Sequence, residues 1–156
     1  MNTIDYSKFE TAPAIPEASS MIETFRAIGY NIETAIADII DNSISANAQN
    51  IWISFDWQGS DTWISIKDDG VGMNDFELIQ ALRPGSKNPL VRRSSKDLGR
   101  FGLGLKTASF SQARQLTVIS KKKNEQVVYW TWDLDFVNKT GKWELIKYVP
   151  SVSILD

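Results

Sequence analysis

The sequence lacks two residue types on which many enzymes and metal sites depend. Without cysteine, disulfides and thiolate metal sites are excluded. Without histidine, imidazole bases, imidazole metal ligands and a phosphoacceptor histidine are also excluded within this chain. No apolar run approaches the about 18 residues that span a bilayer. The first twenty residues are polar and acidic, unlike a secretory signal. These absences predict a soluble cytoplasmic protein, or a fragment of one, with no membrane contact.

The remaining composition predicts one compact domain with an unusual local charge. The chain has 156 residues, of which 42% are hydrophobic and six are tryptophan, and its net charge is -2. This charge argues against a general polyanion binder. From Arg83 to Lys106, however, the chain carries seven basic residues and one acid, Asp97. We interpret this stretch as a lid over a polyphosphate. A solvated basic loop and a nucleic-acid contact stay open as alternatives.

Hydrophobic periodicity predicts an α+β fold. Helical spacing covers roughly 17–28 and 32–46, with Ser19 or Ser20 as the first cap, Gly29 as the first stop and Asn31 as the second cap. A short helix is predicted over 75–82, and another begins over 105–111. Alternating patterns predict two β-hairpins, formed by "NIWISFDW" with "DTWISIKDD" and by "RQLTVISKKK" with "EQVVYWTWDLD". This order predicts a two-layer sandwich, in which a mixed, mostly antiparallel sheet carries helices on one face.

The predicted second helix places a carboxylate and a carboxamide beside its apolar stripe. Asp38 and Asn42 lie one turn apart, at about 240° and 280° when Ile32 is set at 0°. The stripe begins at about 300°, so the pair borders the buried face. An amide oxygen suits Mg²⁺, and a carboxylate can hold or deprotonate water. The alternative is an i,i+4 hydrogen-bonded pair on a solvated edge.

Two glycine-containing stretches are candidate ligand contacts. In "IKDDGVGMN", Asp68 leaves a strand and can accept a hydrogen bond from an exocyclic amine, while Gly70 and Gly72 permit a sharp turn and close approach. In "DLGRFGLGLKTAS", glycines lead into a helix whose N-terminus favours phosphate, and Lys106 adds a positive charge. The alternative for the first stretch is an ordinary loop after a strand. The alternative for the second stretch is a turn that lets a helix pack closely.

The order and spacing of these stretches resemble the ATP-binding domain of the GHKL superfamily, which has the Bergerat-type fold. Its members include gyrase-type topoisomerases, heat-shock-90-type chaperones, sensor histidine kinases and MutL-type proteins. "DIIDNSISA" resembles the N box, "DDGVGM" the first glycine box and "GRFGLGLKTAS" the second. The resemblance covers roughly residues 20–132. The pattern is most similar to the chaperone, MutL and microrchidia side.

The resemblance implies roles for individual residues. Asn42 would bind the Mg²⁺ that bridges the triphosphate, and Asp38, as general base, would position the attacking water. Asp68 would receive the adenine amino group, with Gly72 allowing the base to approach and Met73 lining its pocket. Gly99, Gly102 and Gly104 would wrap the phosphates at the helix start, and Lys106 would contact phosphate. The further cofactor-binding residues implied are Gly70, Arg100, Phe101 and Leu103. A lid is implied over about 74–98. Thr131 is the candidate for a contact near the adenine, with Thr117 as the alternative.

The function implied is an ATPase module. Mg-ATP would bind, the lid would close, two protomers would associate as a homodimer, and slow hydrolysis would reset the state. A nucleotide-binding switch without hydrolysis and the ATPase subunit of a DNA-processing system stay open, with a protein client or DNA as partner. Hydrolysing branches usually carry Glu where this chain has Asp38, which makes binding the safer prediction. Family domains usually continue through another strand and a transducer domain, so we expect an N-terminal fragment ending at Asp156.

Overall fold

A computed structural model describes residues 4–27, 30–85 and 104–150 of the protein. Within these ranges the chain combines α-helices with two antiparallel hairpins and two short 3-10 turns, Tyr6–Lys8 and Gly59–Asp61. The helices are α1 (Ala18–Ala27), α2 (Ile32–Ser45), α3 (Asp75–Leu82), α4 (Gly104–Gln112) and α5 (Leu134–Thr140). The strands are β1 (Ile51–Asp56), β2 (Trp63–Asp68), β3 (Gln115–Ser120) and β4 (Val128–Asp133). The predicted α+β class is confirmed, and α3 has the predicted bounds.

The strands pair as two separate hairpins in the described part of the chain. β1 pairs with β2 through Ile53 opposite Ile66, and β3 pairs with β4 through Thr117 opposite Thr131. A single antiparallel bridge adds Ile146 beside Thr131. Every pair among these residues is antiparallel. In place of one mixed sheet, these residues form two two-stranded antiparallel units.

The hydrophobic core lies between four helices and one face of the β3–β4 hairpin. Its buried side chains come from α1, α3, α4, α5 and β4, and they are Ala18, Ile22, Phe25, Leu78, Leu82, Phe110, Trp132, Leu134 and Val137. Trp132 is 2% exposed and meets Phe110 edge-on at a ring separation of 6.0 Å. Burying one such large side chain stabilises the fold by roughly 1.5–3 kcal/mol. The β1–β2 hairpin lies outside this core, and Phe55 on its apolar face is 59% exposed.

Asparagine side chains begin two of the helices. The Asn31 side chain accepts a hydrogen bond from the Thr34 N–H at 2.8 Å, which confirms the predicted cap of α2. Asn74 caps α3 in a reciprocal capping box with Glu77, in which both hydrogen bonds are 2.9 Å long.

The predicted cap of α1 was wrong. The helix begins at Ala18, so Ser19 and Ser20 lie in its first turn. Their hydroxyls donate instead to the carboxylate of Glu17, at 2.6 and 2.7 Å. The physical reason is that this upstream carboxylate offers both hydroxyls a strong acceptor. Gly29, the predicted stop, lies outside the described residues.

Helix α5 was missed by the sequence analysis. Asp133 caps it by accepting hydrogen bonds from the N–H groups of Asp135 and Phe136. Gly141 ends it in the left-handed conformation, with φ of 68°. An aspartate before the helix and a glycine after it were the available signals. Within the described ranges, no helix combines the length and apolar character needed to cross a membrane.

Candidate functional site

Helix α2 carries the first pair of candidate residues. Asp38 is half-buried and Asn42 is exposed, as expected for residues at the edge of a packed helix face. The Asn42 side-chain nitrogen donates to the backbone carbonyl of Asp38 at 2.9 Å. The i,i+4 hydrogen bond therefore joins an amide to the backbone and does not engage the Asp38 carboxylate. An amide held through its nitrogen directs its oxygen away from the helix backbone, which is the orientation that an oxygen ligand needs.

Tyr30 is a neighbour of Asp38 that the sequence analysis did not assign. Burial raises the pKa of the Tyr30 phenol, and a hydrogen bond with Asp38 and the charge of that carboxylate raise it further. A hydrogen bond with Thr107 of α4 acts in the opposite direction. The Tyr30 carbonyl also accepts from the Gln112 side chain at 2.7 Å. Tyr30 thus links the carboxylate on α2 to α4, a contact that no local sequence pattern reveals.

Asp68 is attached to the same helix. Its carboxylate accepts from the Ser43 hydroxyl at 2.9 Å and from the Gly70 N–H at 2.9 Å. Ser43 is 3% exposed and directly follows Asn42 on α2. A carboxylate has about four acceptor positions, so these two bonds leave it able to accept from a ligand amine. The structure therefore places Asp38 and Asn42 on α2 and attaches Asp68 to the same helix through Ser43.

The glycines after Asp68 are required by close approaches of the protein to itself. A Cβ at Gly70 would lie 2.9 Å from the Ala46 Cβ at the end of α2. Gly72 has φ of 67°, and a Cβ there would lie 2.1 Å from the Lys121 carbonyl oxygen. This loop therefore packs on α2 and on the end of β3. The contact of Gly72 with an adenine stays a prediction.

Met73 follows the same loop into the core. Its N–H donates to the Ser120 hydroxyl at 2.8 Å, and its side chain is partly buried against the core. This bond joins the exit of β2 to the end of β3, so Met73 lies where the two hairpins meet. Its predicted contact with an adenine stays a prediction.

Asp69 has a structural role, which the sequence pattern did not distinguish from the role of Asp68. Its carboxylate accepts from the backbone N–H groups of Gln49 and Asn50 at 2.7 and 2.9 Å and from the Asn50 side chain at 2.8 Å. These bonds, with the Asn50 backbone first, lower the pKa of Asp69. Asp69 thereby fixes the turn between α2 and β1 against the exit of β2.

Lys106 lies at an unexpected position. It is 2% exposed, and its ammonium donates to the carbonyls of Ala81 at 2.8 Å and Arg83 at 3.1 Å. These carbonyls belong to the end of α3, whereas the sequence predicts a phosphate contact. Helix α4 begins at Gly104, one residue before the predicted start. The other predicted phosphate contacts, at positions 99–103, lie outside the described residues, as does most of the predicted lid.

Thr131 is not brought together with the other candidates. Trp130 and Trp132 on either side of it donate to Asp75 and Leu82 of α3, so Thr131 points to the opposite face of the hairpin. It is 0% exposed, and its hydroxyl pairs with Thr117 at 2.8 Å and donates to the Tyr148 carbonyl at 2.5 Å. Neither threonine lies on the helix side of the hairpin.

An open depression of about 560 Å³ lies beside this site. It is lined by Asn47, the 69–71 loop and the lysines at 121–123. Asp38, Asn42 and Asp68 are not among its lining residues. Among the described residues, no group of three or more acidic side chains is placed to hold a metal ion.

Comparison with known proteins identifies similar chains. Residues 30–154 match the family described as histidine kinase-, DNA gyrase B-, and HSP90-like ATPase. The chain is 33% identical to the ATPase morc-1 of Caenorhabditis elegans, over 57% of this chain and 10% of that protein. It is 30% identical to the DNA mismatch repair protein MutL of Buchnera aphidicola, over 78% of this chain and 22% of that protein. It is 34% identical to the chaperone protein HtpG of Rickettsia canadensis, over 65% of this chain and 18% of that protein. The chain thus spans between 10% and 22% of these relatives.

Proposed function

Because the chain belongs to the histidine kinase-, DNA gyrase B-, and HSP90-like ATPase family, we propose that the site beside α2 binds ATP with Mg²⁺ and hydrolyses it slowly. The resemblance predicted from the three sequence boxes is confirmed by this membership. The observation that carries the proposal is the Ser43–Asp68 hydrogen bond of 2.9 Å. It attaches the predicted adenine acceptor to the helix that bears Asp38 and Asn42.

Recognition of adenine would depend on Asp68. An ionised carboxylate accepts hydrogen bonds only, and an exocyclic amine donates them. The hydrogen bonds from Ser43 and Gly70 fix the orientation of the carboxylate before a ligand arrives. Such preorganisation reduces the ordering that binding requires.

Asn42 is the residue that would hold Mg²⁺. The ion prefers hard oxygen ligands and is usually held by one or two protein groups together with substrate phosphates and water. The orientation of the Asn42 amide, set by its bond to the Asp38 carbonyl, fits that preference. The bound ion would supply neutralisation of the negative charge on the phosphates.

Asp38 would position and deprotonate the attacking water. Its carboxylate is half-buried one turn before Asn42 and hydrogen-bonds Tyr30, which also bonds Thr107. Aspartate is one methylene shorter than glutamate, and a displacement of about 1 Å can reduce a rate by ~10²-fold. This length favours slow hydrolysis. It also supports the alternative of a nucleotide-binding switch that does not hydrolyse.

A conformational response to ATP completes the proposal. ATP binding would close the basic segment within 74–98 over the phosphates and promote association of two protomers. The similarity to a chaperone protein and to a DNA mismatch repair protein supports a protein client or DNA as partner. The seven basic residues between Arg83 and Lys106 support the alternative of a subunit that processes DNA.

Calorimetric titration with a non-hydrolysable ATP analogue tests the proposal. The folded chain should give a one-to-one isotherm that weakens strongly when EDTA removes Mg²⁺. Asp68→Asn should abolish the isotherm, because a carboxamide can present its donor nitrogen to the adenine amine. Asp61→Asn, at an exposed carboxylate in the β1–β2 turn, is the matched control and should bind normally. A folded wild-type chain that produces no heat of binding would overturn the proposal.

A further inference from the structure

Tyr30 joins the two helices α2 and α4 through both its backbone and its side chain. It immediately precedes Asn31, the cap of α2, and its carbonyl accepts from the side chain of Gln112, the last residue of α4, at 2.7 Å. Its half-buried phenol is hydrogen-bonded to the Asp38 carboxylate on α2 and to Thr107 on α4. The backbone contact fixes the place of the residue, and the phenol extends from there to Asp38.

The two hydrogen bonds of the phenol run in one direction, from α4 to α2. Burial raises the pKa of the Tyr30 phenol, and the bond with Asp38 raises it further, as expected when the phenol donates to a carboxylate. The bond with Thr107 lowers this pKa, as expected when the phenol oxygen accepts. The Thr107 hydroxyl therefore donates to Tyr30, and the Tyr30 hydroxyl donates to Asp38.

This chain of hydrogen bonds begins at a fixed point in the packed part of the protein. Thr107 is 5% exposed, and the helix that carries it packs against α2. Successive hydrogen bonds in such a chain polarise and strengthen one another. The Asn42 amide bonds the Asp38 backbone carbonyl, so it does not orient the carboxylate. The orientation of the Asp38 carboxylate thus depends on a donor from outside α2.

We propose that Tyr30 is a positioning residue for ATP hydrolysis, which orients the Asp38 carboxylate toward the attacking water. The proposal rests on the proposed function and extends it, because that function assigns the water to Asp38. The bond from Tyr30 occupies one of about four acceptor positions on the carboxylate and leaves others for the water. Orientation matters for a side chain as short as aspartate, since a displacement of about 1 Å can reduce a rate by ~10²-fold.

Turnover of the variant Tyr30→Phe tests this role. The substitution keeps the ring and removes the hydroxyl. Phosphate release should fall by about tenfold, as expected for the loss of a hydrogen bond to a charged group. Affinity for the ATP analogue should stay within about twofold, because Tyr30 acts on the water through Asp38 and not on the nucleotide. Tyr6→Phe, at a tyrosine that is 75% exposed, is the matched control and should keep wild-type turnover.

A double variant distinguishes positioning of Asp38 from general support of the fold. In a chain that already carries Asp38→Asn, the further change Tyr30→Phe should cause no additional loss of turnover, because both residues act on the same step. Unchanged turnover in Tyr30→Phe alone would overturn the proposal. Equal losses of turnover and affinity, or a second tenfold loss in the double variant, would overturn it as well, since they indicate a structural role.

Ionisation of the phenol tests the chain of hydrogen bonds without nucleotide. Incorporation of fluorotyrosine gives a fluorine resonance for each of the four tyrosines, and Tyr30→Phe identifies that of Tyr30. Asp38→Asn removes the charged acceptor and should lower the pKa of this phenol, whereas Thr107→Val removes the donor and should raise it. Asp41→Asn, at another half-buried carboxylate of α2, should leave it unchanged. Shifts of the same sign in the first two variants, or none, would overturn the proposal.

Binding and turnover of the wild-type chain separate the two proposals. If the wild type hydrolyses ATP and Tyr30→Phe does so equally fast, the role of Tyr30 is overturned and the proposed function stands. If the wild type binds the analogue but releases no phosphate from ATP, hydrolysis and the role of Tyr30 are overturned together, and nucleotide binding stands. Opposite pKa shifts, with a loss of turnover in Tyr30→Phe that Tyr6→Phe does not show, support both.

Discussion

The buried hydroxyl of Ser43 donates a 2.9 Å hydrogen bond to the carboxylate of Asp68. Ser43→Ala removes this bond and leaves the carboxylate held by the Gly70 N–H alone. We expect affinity for the ATP analogue to fall roughly tenfold, since a hydrogen bond to a charged group contributes about 1.5 kcal/mol. Calorimetry would measure the change. Ser45→Ala, at an exposed site on the same helix, is the control and should keep wild-type affinity. Equal affinity of both variants would contradict the assigned role of Ser43.

Replacement of Gly72 by alanine should destabilise the fold. The position has φ of 67°, and an added Cβ would lie 2.1 Å from the Lys121 carbonyl oxygen. Backbone strain and the clash together should reduce the free energy of unfolding by roughly 2–4 kcal/mol. Gly141 has a φ of 68° with open space around it. Gly141→Ala should therefore reduce the free energy of unfolding by only about 1–2 kcal/mol, from strain alone. Urea unfolding would compare the two, and equal losses would show that the contact with Lys121 is not tight.

Asp38→Asn should separate hydrolysis from binding. The amide keeps the size of the side chain and cannot accept a proton, so turnover should fall by at least ~10²-fold. Affinity for the analogue should stay within about twofold, since Asp38 is assigned to the water and not to the nucleotide. Asp41→Asn, a half-buried carboxylate on the same helix, should retain turnover. Phosphate release measures the rate. If the wild-type chain binds ATP without releasing phosphate, the non-hydrolysing switch is the correct function.

The lowered pKa of Asp69 predicts that the protein loses stability in acid. Hydrogen bonds from Asn50 and Gln49 hold its pKa below the ordinary value of 3.8. Since the folded state favours the charged form, this contribution is complete above that value and is lost as pH falls through the lower pKa of the folded state. The urea midpoint should therefore fall as the pH drops below about 4, and Asp69→Asn should reduce the fall. A variant with the full wild-type pH dependence would show that other carboxylates cause it.

Local patterns predicted most of the secondary structure. The alternation of "NIWISFDW" and the cap at Asn31 depend on residues within a few positions of one another, so the sequence alone contains the information. The missed helix α5 is only seven residues long and directly follows a strand, where the strand pattern of "VVYWTWDLD" dominates. The predicted cap at Ser19 or Ser20 was wrong for a similar reason. Several neighbouring side chains near a helix start can accept hydrogen bonds from the same backbone N–H groups.

The sequence indicated a set of candidate site residues but not the contacts between them. The boxes around Asp38 and Asp68 indicated the helix edge and the strand end, but the Ser43 link between them spans 25 positions. Lys106 shows the limit most clearly. Its position after the glycines indicated phosphate, and the carbonyls it bonds lie 23 and 25 residues earlier in the chain. Such distant contacts follow from tertiary packing, which spacing does not encode.

The division of the strands into two hairpins sets the order in which the protein folds. Within each hairpin the paired residues are close in sequence, because the turns at Gly59 and Asn124 join them. Loop closure therefore costs little entropy, and we expect pairing to be fast. The hydrogen bond from Met73 to Ser120 joins the hairpins across 47 positions. We therefore expect docking of the first hairpin onto the second to be the slow step. Since the loop after Asp68 packs against the end of β3 through Gly72, we expect the candidate site to be completed late in folding.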